Sequence, residues 1–199
     1  MQTGLSQLPS HIASDVAREG TDEQLIAQIA AGDRRALGLL YGRHHVRVYR
    51  FLLRLTDNAA NAEDVTSDVF LDIWKQAPRF EGRSQVSTWM LAIARHKAIS
   101  MLRRRRAEPL DAEMAEGIAD SAANAEAMRQ EQETTTAIRQ ALTLLSAAHR
   151  EIVDLVYYHG KSIAEVAEIV GVPEATVKTR MFYARKRLAA LLAGHRLAA

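Results

Sequence analysis

Residues 161–192 read KSIAEVAEIVGVPEATVKTRMFYARKRLAALL, and this stretch decides how the rest of the chain is understood. Ser162 followed by Glu165 forms a capping box, in which each side chain satisfies an orphan donor at the start of a helix. Ile163, Val166, Ala167 and Val170 then repeat at the three-and-four spacing of one buried helical face. Gly171 supplies the left-handed residue that commonly closes a helix. Pro173 suits the first turn of the next helix and pushes Val172 out of the helical region. A short helix, a tight break and a second helix make a helix-turn-helix.

On the second helix Val177, Met181, Ala184, Leu188 and Leu191 fall on one face, the core face. Ala175, Lys178, Thr179, Phe182, Tyr183 and Lys186 project the other way, with Thr176, Arg180, Arg185 and Arg187 on the flanks. Such a surface offers donors to base edges and cations to phosphates. The plainer alternative is a helical hairpin with a solvated basic face. DNA binding is favoured because capping box, Gly, Pro and basic helix occur together at motif spacing.

Working outward, 199 residues with 48% hydrophobic content suffice for one or two small domains. Four Pro, ten Gly and long three-and-four periodicity predict an all-helical protein. The absence of Cys excludes disulfides and thiolate metal sites. No signal-like amino terminus is legible, and no apolar run approaches the roughly 18 residues of a membrane span, so a cytoplasmic protein without membrane insertion is expected. The net charge is +2, but its placement is uneven. Residues 1–106 hold 16 basic and 11 acidic side chains, 107–133 hold 1 and 8, and 134–199 hold 9 and 5, giving +5, −7 and +4. Two basic blocks around an acidic connector predict two polyanion-facing domains and a flexible linker that avoids nucleic acid.

Residues 1–20 are polar and aperiodic and are expected to be a mobile tail without assigned function. Thr21 with Gln24 opens a first helix through Leu25, Ile26 and Ile29, and Asp33 caps the next, which carries Ala36, Leu37, Leu40, Val48, Phe51, Leu52 and Leu55 toward a core. His44 and His45 are adjacent, share no helix face and have no carboxylate three or four positions away, so they are expected to be solvated. Between 59 and 77, Val65, Val69, Ile73 and Trp74 form a buried stripe, and Glu63, Asp64, Asp68 and Asp72 line up outside it. Those carboxylates could hold a metal or do acid-base work, form a solvated face, or dock a basic partner. No nucleophile or His stands in register, which places catalysis last. After Pro78, residues 79–87 are expected to form a loop before a helix from about Thr88, with Trp89, Ala92, Ile93 and Leu102 inward. Arg83, Arg95, Lys97 and the run Arg103, Arg104, Arg105, Arg106 give this part a cationic surface suited to nucleic acid. A second core is expected from Ile138, Leu142, Leu145, Ile152, Val153 and Val156.

The whole pattern resembles the extracytoplasmic-function group of the sigma-seventy family of bacterial sigma factors. The resemblance covers roughly 21–192 and rests on three blocks in order: AEDVTSDVFLDIW (62–74), RFEGRSQVSTWMLAIARHKAISMLRRRR (79–106) and LTLLSAAHREIVDLVYYHGKSIAEVAEIVGVPEATVKTRMFYARKRL (142–188). It implies two small helical domains, region 2 over 21–106 and region 4 over 134–199, joined by the linker 107–133. It further implies that Glu63, Asp64 and Asp68, with Asp72 on the same face, dock core RNA polymerase. Phe80, Arg83, Ser84, Arg95, Lys97 and Arg103 would meet the melted downstream promoter element, consistent with the capture of an unstacked base. Ala175, Thr176, Lys178, Thr179, Arg180, Phe182, Arg185 and Lys186 would meet the upstream element. A stress or envelope signal and an anti-sigma factor are expected with the family, and no catalysis, metal or cofactor. Ala175, Ser146 and Ser100 stand where the family often has Gly, Pro and Asp, and Tyr183 takes a frequently basic position, so base preference does not carry over. The rival reading is a stand-alone helix-turn-helix regulator with a sensory front half.

Overall fold

The computed structural model describes residues 20–107 and 136–198. The expected tail (1–20) and acidic linker (107–133) lie outside these apart from Gly20 and Ala107, as do Thr134 and Thr135. Helix α1 (Asp22–Ala30) opens on the predicted box, in which the Gln24 amide donates to Thr21 Oγ1 (3.3 Å) and the Thr21 amide to Gln24 Oε1 (2.8 Å). Helix α2 (Arg34–Thr56) starts on Asp33, whose carboxylate accepts from the amides of Arg35 and Ala36, and closes at Asp57 with φ 52°. Helix α3 (Ala59–Gln76) is capped by Asn58, and Pro78 enforces the short 3-10 turn Ala77–Arg79 that follows it. Helix α4 spans Val86–Ala107.

The rear unit contains a short helix α5 (136–143), α6 (Ala147–Tyr157) capped by Ser146, α7 (Ile163–Val170) and α8 (Glu174–Ala198). Gly171 closes α7 with φ 70°, as its sequence position predicts. The four front helices bury Leu25, Ile26, Leu40, Phe51, Leu52, Val69, Ile73 and Met90, and the rear ones Ile152, Leu155, Val166, Val177, Met181 and Ala184. These form one continuous core, because α4 packs on α7 and α2 on α6.

Two expectations are corrected. The inward face of α4 consists of Val86, Met90, Leu91, Ala94 and Ala98, while Trp89, Ala92, Ile93 and Leu102 are half-buried on its flanks, and the helix begins two residues before Thr88. Packing on α2 and α3 from one side and α7 from another leaves this helix without a single solvent face from which to read its phase. His44 is not solvated: its Nε2 lies 2.6 Å from Asp22 Oδ2, beside the Arg43 guanidinium at 3.0 Å from Oδ1. Its carboxylate partner comes from 22 positions away, beyond any helical spacing. His45 instead stacks on Tyr41, ring centroids 4.7 Å apart.

Candidate nucleic-acid interface

Helix α3 presents Glu63, Asp64 and Asp68 to solvent, with Asp72 half-buried. Lys97 of α4 reaches across, 3.0 Å from Asp72 Oδ2 and 3.6 Å from Asp68 Oδ2. Between the two helices runs a groove of about 800 Å³ whose walls carry opposite charge, Asp64, Asp68 and Asp72 against Lys97, Arg104 and Arg105. Lys97 therefore pairs with the acidic face of α3. Among the described residues no cluster of His, Asp and Glu is arranged to hold a metal ion.

At the other end of α3, the Phe80 ring packs on Trp89 at 4.9 Å with a 46° tilt. Gly82 takes φ 69° at the loop's turn, a conformation a side chain would strain. Arg83 pairs with Glu81 at 2.7 Å in full view of solvent, which leaves it easy to recruit, since exposed ion pairs contribute at most about 1 kcal/mol. Ser84 follows, half-buried. Arg95 does not point outward: Nε donates to Glu151 Oε1 at 2.7 Å and Nη2 to Oε2 at 3.4 Å. Arg103 is exposed and shares a groove of about 610 Å³ with Arg95, Arg180 and Glu151, between α4 and the rear unit.

The solvent-facing surface of α8 is built as its periodicity predicts. Val177, Met181 and Ala184 are buried and Leu188 and Leu191 half-buried, while Ala175, Lys178, Thr179, Phe182, Tyr183, Arg185 and Lys186 are exposed and Thr176 and Arg180 intermediate. Phe182 and Tyr183 stand 62% and 54% exposed and meet edge to face at 5.4 Å, an aromatic pair with no core to serve. Lys178 lies 3.3 Å from Glu174, and the Thr179 hydroxyl donates to the Ala175 carbonyl at 2.9 Å. Arg185 donates from Nε to the Tyr157 hydroxyl at 3.0 Å and leans over that ring.

The residues that sequence reasoning missed lie between the two units. Lys161, its side chain 5% exposed, donates from Nζ to Ser87 Oγ (2.7 Å), Thr88 Oγ1 (2.9 Å), Glu165 Oε1 (3.0 Å) and Gln85 Oε1 (3.3 Å). The Thr88 hydroxyl donates to the same Glu165 oxygen at 2.6 Å. Burial pushes the Glu165 carboxyl up, but hydrogen bonds from Thr88, the Ser162 amide, Lys161 and the Ser162 hydroxyl outweigh it and bring it down to about 2. Glu151 and Asp154 of α6 meet Arg95 and Arg54. Of the ion pairs here, Lys161–Glu165, four positions apart, had a local signal, as did the Ser162–Glu165 box.

Residues 40–108 match the family described as Sigma-70 region 2, and residues 135–188 the family described as Sigma-70, region 4. The ECF RNA polymerase sigma factor SigM of Mycobacterium tuberculosis is 37% identical, covering 87% of this chain and 86% of its own. SigL of the same organism is 31% identical, over 82% and 92%. Among solved structures, CnrH in complex with the cytosolic domain of CnrY superposes with a TM-score of 0.62 at 26% identity, over 87% of this chain and 97% of that one. The fold is shared as well by the sigma factor RpoE from Bartonella quintana, solved with the anti-sigma factor NepR (TM-score 0.60, 23% identity, 78% and 96% covered). With both sigma regions matched in order and relatives above 30% identity along most of its length, the chain belongs to the ECF RNA polymerase sigma factors of the sigma-70 family.

Proposed function

We propose a division of labour by residue for this sigma factor, a non-catalytic promoter-specificity subunit. Glu63, Asp64 and Asp68 dock core RNA polymerase, with Asp72 holding the edge of the face through Lys97. Phe80, Arg83, Ser84, Arg95 and Arg103 meet the opened downstream element. Ala175, Thr176, Lys178, Thr179 and Phe182 face the bases of the upstream element, and Arg180, Arg185 and Lys186 its phosphates. The observation that carries the reading is the segregation on α8: an apolar face turned to the core through Val177, Met181 and Ala184 and, opposite it, exposed Lys178, Thr179 and an unpartnered aromatic pair.

The factor works in the cytoplasm, where its polymerase and promoter are, and a stress or envelope signal releases it from an anti-sigma factor. A protein partner is supported by the similar CnrH, which was solved with the cytosolic domain of CnrY bound. Mixing the chain with core polymerase and a promoter library tests the reading. Promoter-specific transcripts are expected, and Asp64→Lys with Asp68→Lys should weaken core binding without loss of helicity. DNA binding without any polymerase dependence would identify a stand-alone regulator instead.

A further inference from the structure

The cations of α8 are not alike. Lys186 and Arg187 are exposed, and Lys178 pairs within its own helix, with Glu174. Arg185 alone among the described cations of α8 is bonded to a side chain of another helix. Its Nε donates to the hydroxyl of Tyr157, the last residue of α6, at 3.0 Å, and its guanidinium carbon lies 5.7 Å from the centroid of that ring. Tyr157 is itself 63% exposed, so the core does not account for its place. Phe182 stands three positions before Arg185 and Lys178 seven, which sets the Tyr157–Arg185 pair at the edge of the face that they share.

We infer that Tyr157 is a positioning residue for DNA binding, holding the Arg185 guanidinium so that its remaining donors grip one backbone phosphate of the upstream element. This rests on the reading of Arg185 as a phosphate contact. A guanidinium is a planar fork with five N–H donors. With Nε–H given to Tyr157, the edge formed by the two Nη nitrogens is left, and that edge matches two phosphate oxygens. Among the described residues neither Nη has a hydrogen-bond partner. The Tyr157 oxygen accepts from Arg185 through a lone pair, so its own proton stays available, and tyrosine hydroxyls are among the groups that bind backbone phosphates. The ring adds to the hold, since the cation lies within the roughly 6 Å at which an aromatic face attracts it. A free surface arginine must be ordered at the moment of contact, whereas this one is held beforehand, which reduces the entropy lost on binding. A phosphate carries no base identity, so the pair adds affinity to every promoter alike.

The test uses holoenzyme reconstituted from the full chain and core polymerase, titrated with duplex promoters in which each upstream-element phosphate in turn is replaced by a neutral methylphosphonate. Neutralising one particular phosphate should weaken the parent about tenfold. Tyr157→Phe should bind the unmodified promoter about fivefold more weakly, lose most of the penalty at that one phosphate, and keep the parent's penalties elsewhere and its upstream base preference. Arg185→Ala should lose the same penalty, and adding Tyr157→Phe to it should cost nothing further. Arg185→Lys, which keeps the charge but not the fork, should resemble Tyr157→Phe. Thermal unfolding of each variant checks that the fold is intact. A tyrosine that merely braced α6 against α8 would leave the parent's phosphate profile unchanged in Tyr157→Phe, and that profile, or additive losses in the double variant, overturns the proposal. Parent-like binding by Tyr157→Phe while Arg185→Ala is weakened overturns the positioning role alone. Parent-like binding by Arg185→Ala strikes the reading of Arg185 as a phosphate contact, and the proposal with it.

Discussion

Arg95 and Glu151, 56 positions apart, meet through a two-pronged contact with Nε to Oε1 at 2.7 Å, and Glu151 is only 8% exposed. A carboxylate so placed depends on its partner, because removing the guanidinium leaves an uncompensated buried charge. Arg95→Ala and Glu151→Ala should therefore be strongly non-additive. A double-mutant cycle on denaturant unfolding should give a coupling of about 1–2 kcal/mol. Additive effects would mean that water replaces the pair without cost.

His159 predicts a pH dependence. Burial, followed by the charges of Arg54, Arg47 and Lys161, lowers its pKa from 6.5 to about 4, and Asp154, whose Oδ2 lies 3.4 Å from Nε2, does not restore it. The unfolded chain thus binds a proton between these values that the folded chain refuses. Stability is complete above 6.5 and lost as pH falls toward 4. Glu165, depressed from 4.5 to about 2, adds a second loss below that window. Melting temperatures of His159→Gln should be flatter than those of the parent between pH 6.5 and 4, whatever the variant's absolute stability. Parallel curves would remove His159 from the acid response.

Two kinds of glycine should respond with opposite sign. A Cβ at Gly171 would touch nothing within 4 Å, yet φ is 70°. Gly171→Ala should destabilise by about 1–2 kcal/mol through backbone conformation alone. Gly38, inside α2 one turn from its start, is just as open and carries no positive φ. Gly38→Ala should stabilise by roughly 0.5–1 kcal/mol, since glycine in a helix interior is the more costly residue to order. Thermal unfolding of the two variants side by side checks the contrast.

These residues also mark what a sequence can convey. The boxes at Thr21 and Ser162, the cap at Asp33 and the left-handed Gly171 are interactions within four residues, and local spacing contains all that is needed to find them. The exposed face of α8 is equally local, because that helix buries one side and leaves the other open. Helix α4 defeats the same reasoning because neighbours cover it on two sides, so that Trp89 and Ile93 belong to its flanks and Ala94 and Ala98 to its centre. His44–Asp22, Arg95–Glu151 and Lys161–Thr88 join residues 22 to 73 positions apart. Nothing in the spacing of either partner announces such pairs.

On α8 the residues proposed to read bases and those proposed to hold phosphates should fail differently. Phe182 and Tyr183 keep their rings in water although the helix has an apolar face to which such residues ordinarily go. Phe182 lies one turn beyond Lys178, so an amino-terminal entry of α8 into the major groove brings both near the same bases, the ring against thymine methyl groups and the ammonium to purine acceptors. Thr179 starts from an internal bond to the Ala175 carbonyl and must rotate to contribute. Lys178→Ala and Phe182→Ala should therefore change tolerance at particular upstream bases, by about 1–3 kcal/mol for each base that the side chain reads, with Thr179→Ala weaker than either. Arg185, held at Tyr157, and Lys186 are set farther along the helix, and are the ones proposed to meet the phosphate backbone. Their replacement by Ala should weaken all promoters alike and reduce the salt dependence of binding by about one unit of slope per phosphate released. Selection from randomised upstream hexamers separates the two classes, and unchanged preference in both Lys178→Ala and Phe182→Ala would remove this helix from base readout.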